Sequence, residues 1–453
     1  MLLIFFACTG PDTTAPLPES DADTDADTDA DTDEDTDADA DTDADTDADP
    51  ISLTLSYDRT VTAGNPLKGF LTSYAWGTPS TDFPHSLEFA YIPLSALMDG
   101  PASFTFEAGL EPLLSAAEAR GNQVIFRPYI DYPNQPSGLP DFLVDSVETT
   151  PYTEFGGGLS PDYSDPDLQS AILAFIDALG DQVDSDPRMA AIQVGLLGFW
   201  GEWHTWPYDE LFASAAFQEA VLAAYDEAFD TTLIQVRYPV AGSTALDIGF
   251  HDDSFAYSTL GEVDWFFLPL LESAGADARW ESVLIGGELR PELQPEVFEP
   301  TYTSELYAQD FLECVAATHA SYMLNYTAFG TGYESDAERE AAEAGALAMG
   351  YEFSVSTIDI VDGMAAVQIA NTGVAPFYYP LLLQLDVGGE EPLSAPLSLL
   401  PEASTTVTFD VAGRSSPTPD APWLLSLASE MVLEGQPIRL ANAIDDSAPV
   451  QVR

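Results

Sequence analysis

The sequence predicts a (β/α)8, TIM-like barrel followed by a small antiparallel β-sandwich, with a disordered acidic tether in front of both. Between residues 51 and 350, strand-like and helix-like segments alternate about eight times, which is the rhythm and size of such a barrel. Over residues 351–453 the helical segments disappear and short strand-like segments remain. Residues 9–50 are mainly Asp, Ala and Thr, a composition that cannot form a packed core.

The first eight residues, MLLIFFAC, form a short apolar run that ends in a cysteine. This run resembles the end of a bacterial lipoprotein signal, which makes Cys8 the candidate lipidation site. The run departs from that pattern because no Lys or Arg precedes it and because it is short. We therefore expect an extracytoplasmic protein at a bacterial cell surface or outer membrane, which meets the membrane only through an anchor at Cys8.

The chain of 453 residues is strongly acidic, with a net charge of −65. The first fifty residues contain 18 of the 77 acidic residues and no Lys or Arg, so the remainder is also acidic. A surface with so few cations argues against nucleic acid as a partner, because phosphate binding depends on Lys and Arg. Neither G-x-G-x-x-G nor a P-loop follows an early strand, so no nucleotide cofactor is expected.

The barrel prediction depends on eight strands with helices between them. The candidate strands are Leu67–Ser73, Phe89–Leu94, Gln123–Ile130, Ala191–Phe199, Thr232–Arg237, Ile248–His251, Val283–Gly287 and Tyr322–Tyr326. The candidate helices are Glu107–Arg120, Asp165–Val183, Leu211–Phe229, Tyr302–His319 and Ser335–Met349. The last of these opens with a Ser-x-x-Glu capping box and is followed by glycine. A doubly wound open sheet is the alternative arrangement.

After the barrel, five further segments are short and strand-like, as expected for a sandwich packed on it. They are Phe353–Val361, Met364–Asn371, Tyr379–Val387, Ser404–Val411 and Pro422–Ser429.

Two glutamates at predicted strand ends are the candidate catalytic residues. Glu202 follows the apolar run that starts at Ala191, and Glu288 ends the seventh strand. Barrel enzymes carry their catalytic groups at the carboxyl ends of the strands. Glycosidic bond cleavage requires one protonated and one ionised carboxyl group across a cleft, so Glu202 and Glu288 form the predicted pair.

Other polar and aromatic residues fall at the same strand ends and are the predicted substrate contacts. Arginine beside a carboxylate holds it ionised, and aromatic rings stack on the C–H faces of sugars. The set comprises Trp76, Arg127, Tyr129, Trp203, His204, Trp206, Arg237, His251 and Asn325.

Three simpler interpretations stay open at this point. Glu202 could form a structural ion pair with an arginine. His204 with Glu202 could belong to a metal site, but the H-E-x-x-H spacing is absent, so no metal is predicted. The run His251-Asp252-Asp253 could be an oxygen-rich calcium site.

Four segments resemble two adjacent bacterial families, the domains of unknown function 4874 and 4832. The segments are NPLKGF from Asn65, FRPY from Phe126, GFWGEWH from Gly198 and NTGVAP from Asn371. The resemblance covers nearly everything from Leu55 onwards and implies a glycosidase-like barrel. A more distant similarity to the clan A glycoside hydrolases implies that Glu202 is the acid/base and Glu288 the nucleophile. That clan has Asn before the acid/base residue, whereas this chain has Gly201.

We therefore expect a retaining glycoside hydrolase that cleaves a neutral polysaccharide or oligosaccharide. One alternative is a surface protein that binds glycans in a degenerate cleft without cleaving them. Another is a structural surface protein in which the sandwich serves adhesion.

Overall fold

The computed structural model describes residues 50–240, 242–330, 332–388, 391–442 and 450–452. The signal-like segment with Cys8 lies outside the described residues, as does the predicted tether apart from Pro50. Within the described ranges, no helix has the length and apolar character needed to cross a bilayer.

Eight parallel strands form one sheet that closes on itself. They are β1 Gly69–Leu71, β2 Leu87–Pro93, β3 Gln123–Tyr129, β4 Met189–Gln193, β5 Ile234–Val236, β6 Gly249–Phe255, β7 Ile285–Leu289 and β8 Tyr322–Leu324. From β2 onwards each strand pairs with the next along the chain, and β8 pairs with β1. A bridge between Thr72 and Glu88 joins β1 to β2, where the Phe89 N–H donates to the Thr72 carbonyl at 2.9 Å. The closed ring confirms the predicted barrel and excludes the open doubly wound sheet.

All eight predicted strands are present, but the fourth was predicted too long. The apolar run suggested a strand to Phe199, whereas β4 ends at Gln193. Gly195 and Leu196 both have positive φ, which a strand cannot accommodate. The sixth strand was predicted too short, because β6 continues past His251 to Phe255.

Eight α-helices lie among the described residues. They are Phe106–Gly109, Glu111–Ala119, Pro166–Val183, Ala215–Ala228, Phe267–Ala274, Phe311–Thr318, Tyr326–Phe329 and Asp336–Ala348. The Ser335–Glu338 capping box is present in both directions. The helix predicted from Tyr302 begins only at Phe311, where the Asp310 side chain accepts from the Glu313 N–H and caps it.

The C-terminal region forms two four-stranded antiparallel sheets, as predicted. One contains Ile51–Thr54, Phe353–Val361, Met364–Asn371 and Ser404–Asp410. The other contains Leu393–Leu397, Leu381–Asp386, Trp423–Ala428 and Val450–Val452. Ile51–Thr54 pairs antiparallel with Phe353–Val361. The boundary at residue 51 is therefore wrong for the barrel, because the first strand belongs to the sandwich.

The sandwich packs against the end of the barrel at which the strands begin. At the start of β3, the Gln123 amide donates to the Met431 carbonyl at 2.9 Å. The Tyr379 hydroxyl donates to the Ala190 carbonyl at 2.9 Å and accepts from the Leu233 N–H at 3.1 Å. One apolar cluster contains residues of both parts, including Ala190 and Leu383. The carboxyl ends of the strands therefore face away from the sandwich.

We expect Tyr379→Phe to lower the free energy of unfolding by about 1–3 kcal/mol, because it leaves buried backbone groups of two barrel strands without their partner. Urea denaturation measures the loss. Tyr307→Phe is the matched control, since the same hydroxyl is removed from an exposed side chain. Equal losses in the two variants would contradict this role for Tyr379.

Candidate active site

The loop after β4 carries Glu202 and is held by close backbone contacts. A Cβ at Gly195 would lie 2.1 Å from the Pro128 carbonyl oxygen, and one at Gly198 would lie 2.4 Å from that of His204. Both glycines also have positive φ, so no other residue fits either place without strain. The two glycines therefore let the loop pack closely against the end of β3, and this places Glu202 near that end.

The side chain of Trp203 anchors this loop to the apolar core of the barrel. Its indole N–H donates to the Gly195 carbonyl at 3.0 Å, and the residue is only 2% exposed within the main apolar cluster of the barrel. The prediction that Trp203 stacks on a sugar is therefore wrong, because a buried ring offers no face to a ligand.

A buried carboxylate joins two arginines at the centre of the site. One Asp253 oxygen lies 2.7 Å from the Nη2 of Arg127 and 2.9 Å from the Nη1 of Arg237. The other lies 2.9 Å from the Nδ1 of His251. These charges outweigh the effect of burial, and they hold the pKa of Asp253 well below its usual range. Asp253 is therefore the anion that keeps both guanidinium groups in place.

Glu202 lies against the same two arginines. Its carboxylate oxygens are 3.5 Å from the Nη1 of Arg127 and 3.1 Å from the Nη1 of Arg237. The Nε2 of His204 lies 3.5 Å away. Burial alone would raise the pKa of Glu202, but the nearby cations outweigh it, so the pKa is lowered. Its side chain keeps 13% of its surface exposed, so the carboxylate is not fully shielded from solvent.

Glu288 has the opposite environment. It lies near the end of β7, and its carboxyl group forms no hydrogen bond or ion pair with any residue that the structure describes. Burial, followed by the negative charges of Asp253 and Glu202, raises its pKa well above the usual range. Arg127 and Arg237 lower it only in part. These surroundings therefore favour the protonated form of Glu288.

The two predicted catalytic glutamates therefore influence each other's electrostatics, but their pKa values shift in opposite directions. The similarity to clan A implied a proton on Glu202 and an ionised Glu288. The surroundings favour the reverse, because the arginines pair with Glu202 and not with Glu288. Glu202 does form ion pairs with arginines, as the simpler interpretation expected. Its side chain is nevertheless partly exposed, which is unusual for a purely structural ion pair.

Aromatic side chains surround the carboxyl groups. Trp76 is 48% exposed and lies near-parallel to Tyr91, with ring centroids 6.2 Å apart. Tyr91 accepts a hydrogen bond from Arg127 at 2.8 Å. Tyr129 contacts the same tyrosine at a centroid distance of 6.5 Å. Trp206, 62% exposed, is two residues from His204 on the Glu202 loop. Trp76 and Trp206 therefore offer exposed ring surfaces on loops that follow barrel strands.

Two predicted substrate contacts have structural roles instead. Asn325 is fully buried, where it caps a short helix through the Ala328 N–H and donates to the Tyr333 hydroxyl at 2.9 Å. His251 is also fully buried and supports Asp253, so the prediction that it touches substrate is wrong. Asn325 follows β8 and His251 lies within β6, and the sequence does not show that either side chain turns inward.

The calcium interpretation of the His251 segment does not fit the geometry. Asp252 accepts from the Ser254 N–H at 2.9 Å and from the Thr259 hydroxyl at 2.7 Å. In the part of the chain that the structure describes, no three His, Cys, Asp or Glu side chains are grouped to hold a metal ion.

Sequence reasoning missed Asp253 and Tyr91 as members of the site. Strand alternation could have separated Asp253 from Asp252, because it places Asp253 on the same face as His251. Nothing in the sequence distinguishes Tyr91 from other tyrosines, since its role depends on Arg127 in the neighbouring strand.

No protein-family model matches this chain, and no curated protein matches it. Among solved structures it is similar to an endo-glycoceramidase II from Rhodococcus sp., at 13% identity and a TM-score of 0.40, over 78% of this chain and 98% of that one. It is also similar to a family 39 glycoside hydrolase from Bacteroides cellulosilyticus WH2, at 10% identity and 0.40, over 78% and 83%. An exo-β-1,4-mannosidase from Opitutaceae bacterium strain TAV5 matches at 12% and 0.38, over 65% and 62%. None of these similarities assigns a reaction to a residue of this chain.

We expect Glu288→Gln to be more stable than the wild type at pH 8 and close to it at pH 4.5. The folded-state pKa of Glu288 is raised, so the folded chain keeps a proton that the unfolded chain loses above about pH 4.3. Wild-type stability therefore falls as the pH rises from that value through the folded pKa, and glutamine removes this loss. Urea denaturation at both pH values measures the difference. Glu272→Gln, at an exposed site on a helix, is the control, and the same pH trend in both variants would contradict a raised pKa at Glu288.

Proposed function

We propose that this protein is a glycoside hydrolase whose two working groups are Glu202 and Glu288. The observation that carries the proposal is the different surroundings of two carboxyl groups at the carboxyl ends of barrel strands: Glu202 lies against Arg127 and Arg237, whereas burial and the nearby anions raise the pKa of Glu288. Environments that push two pKa values apart define an acid and a base. Hydrolysis of a glycosidic bond needs that combination.

In this proposal the protonated Glu288 donates its proton to the oxygen of the leaving sugar. The ionised Glu202 attacks the anomeric carbon, and the bond to the leaving oxygen breaks. Water then hydrolyses the glycosyl–Glu202 ester while Glu288 takes the proton of that water. The overall course retains the configuration of the anomeric carbon, and the NMR spectrum of the first product tests it.

A neutral sugar fits this cleft best. Arg127 and Arg237 are both paired with Asp253 and Glu202, so their charge is already balanced by carboxylates. The chain has 77 acidic residues against 12 basic ones, which disfavours the approach of an anionic polymer. Exposed Trp76 and Trp206 provide flat apolar surfaces for the C–H faces of sugar rings.

The test is a screen of neutral glycans by reducing-sugar release, with wild type beside Glu202→Gln and Glu288→Gln. We expect each substitution to lower kcat by about 10²–10⁴-fold, because each removes a proton-transfer or nucleophilic group. An aryl glycoside with an acidic phenol separates the two roles, since that leaving group needs no proton. On it Glu288→Gln should still release a rapid burst of phenol, because only the later hydrolysis of the glycosyl ester needs its base, whereas Glu202→Gln should give no burst.

Exchange of these two behaviours would restore the roles that the clan similarity implies. Glycan binding without any product release by the wild type would instead favour a binding protein. Glu272→Gln serves again as the control for loss of charge away from the cleft.

We also propose that the enzyme works outside the cytoplasm and that Cys8 carries a lipid. Support comes from the apolar run that ends at this cysteine and from the acidic segment that follows it. Growth of expressing bacteria with a labelled fatty acid should label the wild type, whereas Cys8→Ser should remain unlabelled. Label retained by that variant would contradict the proposal.

A further inference from the structure

A line of polar side chains crosses the interior of the barrel and ends at the active site. Gln235 of β5 is hydrogen-bonded to the Tyr322 hydroxyl of β8. That hydroxyl accepts from the Nε2 of Gln193, the last residue of β4, at 2.9 Å. The Oε1 of Gln193 accepts from the Nε of Arg127 at 2.6 Å. All four side chains are buried, where apolar residues usually fill a barrel of this kind.

The direction of these hydrogen bonds is set at Gln235. Its Nε2 donates to the carbonyl oxygens of Phe250 and Leu284, at 2.9 and 3.1 Å. Backbone carbonyl oxygens can only accept, so the amide nitrogen has to face them. The Oε1 of Gln235 therefore points along the line toward Tyr322 and needs a donor.

Tyr322 extends the same order of donors and acceptors to Gln193. A tyrosine hydroxyl has one proton, and Gln235 takes it, so the hydroxyl oxygen is left to accept from Gln193. Gln193 must then present its amide nitrogen to Tyr322 and its oxygen to Arg127. A reversed Gln193 amide would set two N–H donors against each other and leave a buried acceptor unfilled, which is costly.

Gly286 in β7 makes room for this arrangement. A Cβ at this position would lie 2.2 Å from the ring of Tyr322. The glycine pair before Glu288 in the sequence is thereby explained in part by a tyrosine that belongs to the next strand.

We propose that Gln235, Tyr322 and Gln193 form a one-way chain of hydrogen bonds that fixes the guanidinium of Arg127, and that Tyr322 and Gln235 are positioning residues of the active site. Arg127 in turn contacts Asp253 at 2.7 Å and Glu202 at 3.5 Å. The effect on catalysis rests on the proposed hydrolase function, whereas the chain of hydrogen bonds can be tested without any substrate.

The first test is Tyr322→Phe, which removes the hydroxyl and keeps the ring. NMR of the arginine side chains follows hydrogen exchange at the Nε–H of Arg127. We expect this exchange to become at least ~10-fold faster, because Gln193 is no longer held in one orientation. Tyr379→Phe is the matched control, since it also removes a buried hydroxyl with two partners but lies off the chain. Unchanged exchange in Tyr322→Phe, or an equal change in the control, would overturn the proposal.

A second substitution separates orientation from packing. Gln193→Glu in the Tyr322→Phe background supplies an oxygen toward Arg127 whichever way the group turns. Slow exchange at the Arg127 Nε–H should therefore return in the double variant. A loss caused only by poorer packing around residue 322 would not be repaired, and fast exchange in the double variant would count against the proposal.

The wild-type protein provides a test that does not depend on the variants folding. Neutron diffraction locates the deuteron of the Tyr322 hydroxyl, which we expect to lie on the side of Gln235. A deuteron directed at Gln193 would overturn the one-way chain. With any substrate that the glycan screen supplies, Tyr322→Phe should lower kcat on the order of 10-fold and leave KM nearly unchanged. A wild type without turnover would refute the hydrolase function alone and leave the exchange results valid.

Discussion

The candidate active site depends on the sharing of one buried carboxylate, that of Asp253, between Arg127 and Arg237. Two guanidinium groups this close would repel each other and could not stay buried without an anion between them. Once they are held, they provide the positive charge that ionises Glu202. The strands that supply these residues, β3, the end of β5 and β6, lie within one run of neighbouring strands in the curved sheet.

The two glutamates differ in what surrounds their carboxyl groups. Glu202 lies within contact distance of both arginines, whereas burial, followed by the anions Asp253 and Glu202, raises the pKa of Glu288 more than the cations lower it. No metal or cofactor is needed to explain the separation of the two pKa values. Position in the barrel alone therefore does not set the pKa of a carboxyl group, because the charges on neighbouring strands shift it.

Sequence periodicity was sufficient to predict the barrel, since eight buried strands alternate with amphipathic helices. It also brought Glu202, Arg127 and Arg237 into one list, because all three follow apolar runs. It could not show that β4 ends at Gln193, since the loop that follows is as apolar as the strand. The sequence also did not show that the side chains of Trp203, His251 and Asn325 turn inward, because contacts with other strands set that direction and the local pattern does not.

The strand Ile51–Thr54 completes a sheet whose other members come from the far end of the chain. During synthesis on the ribosome it emerges long before its partner Phe353–Val361 exists. The sandwich therefore cannot form completely from the C-terminal residues alone. In the sequence, the barrel lies between the two segments that must pair. Many native contacts therefore join residues that are far apart in the sequence. Such contacts slow folding, and strand edges stay exposed until the last strands have been synthesised.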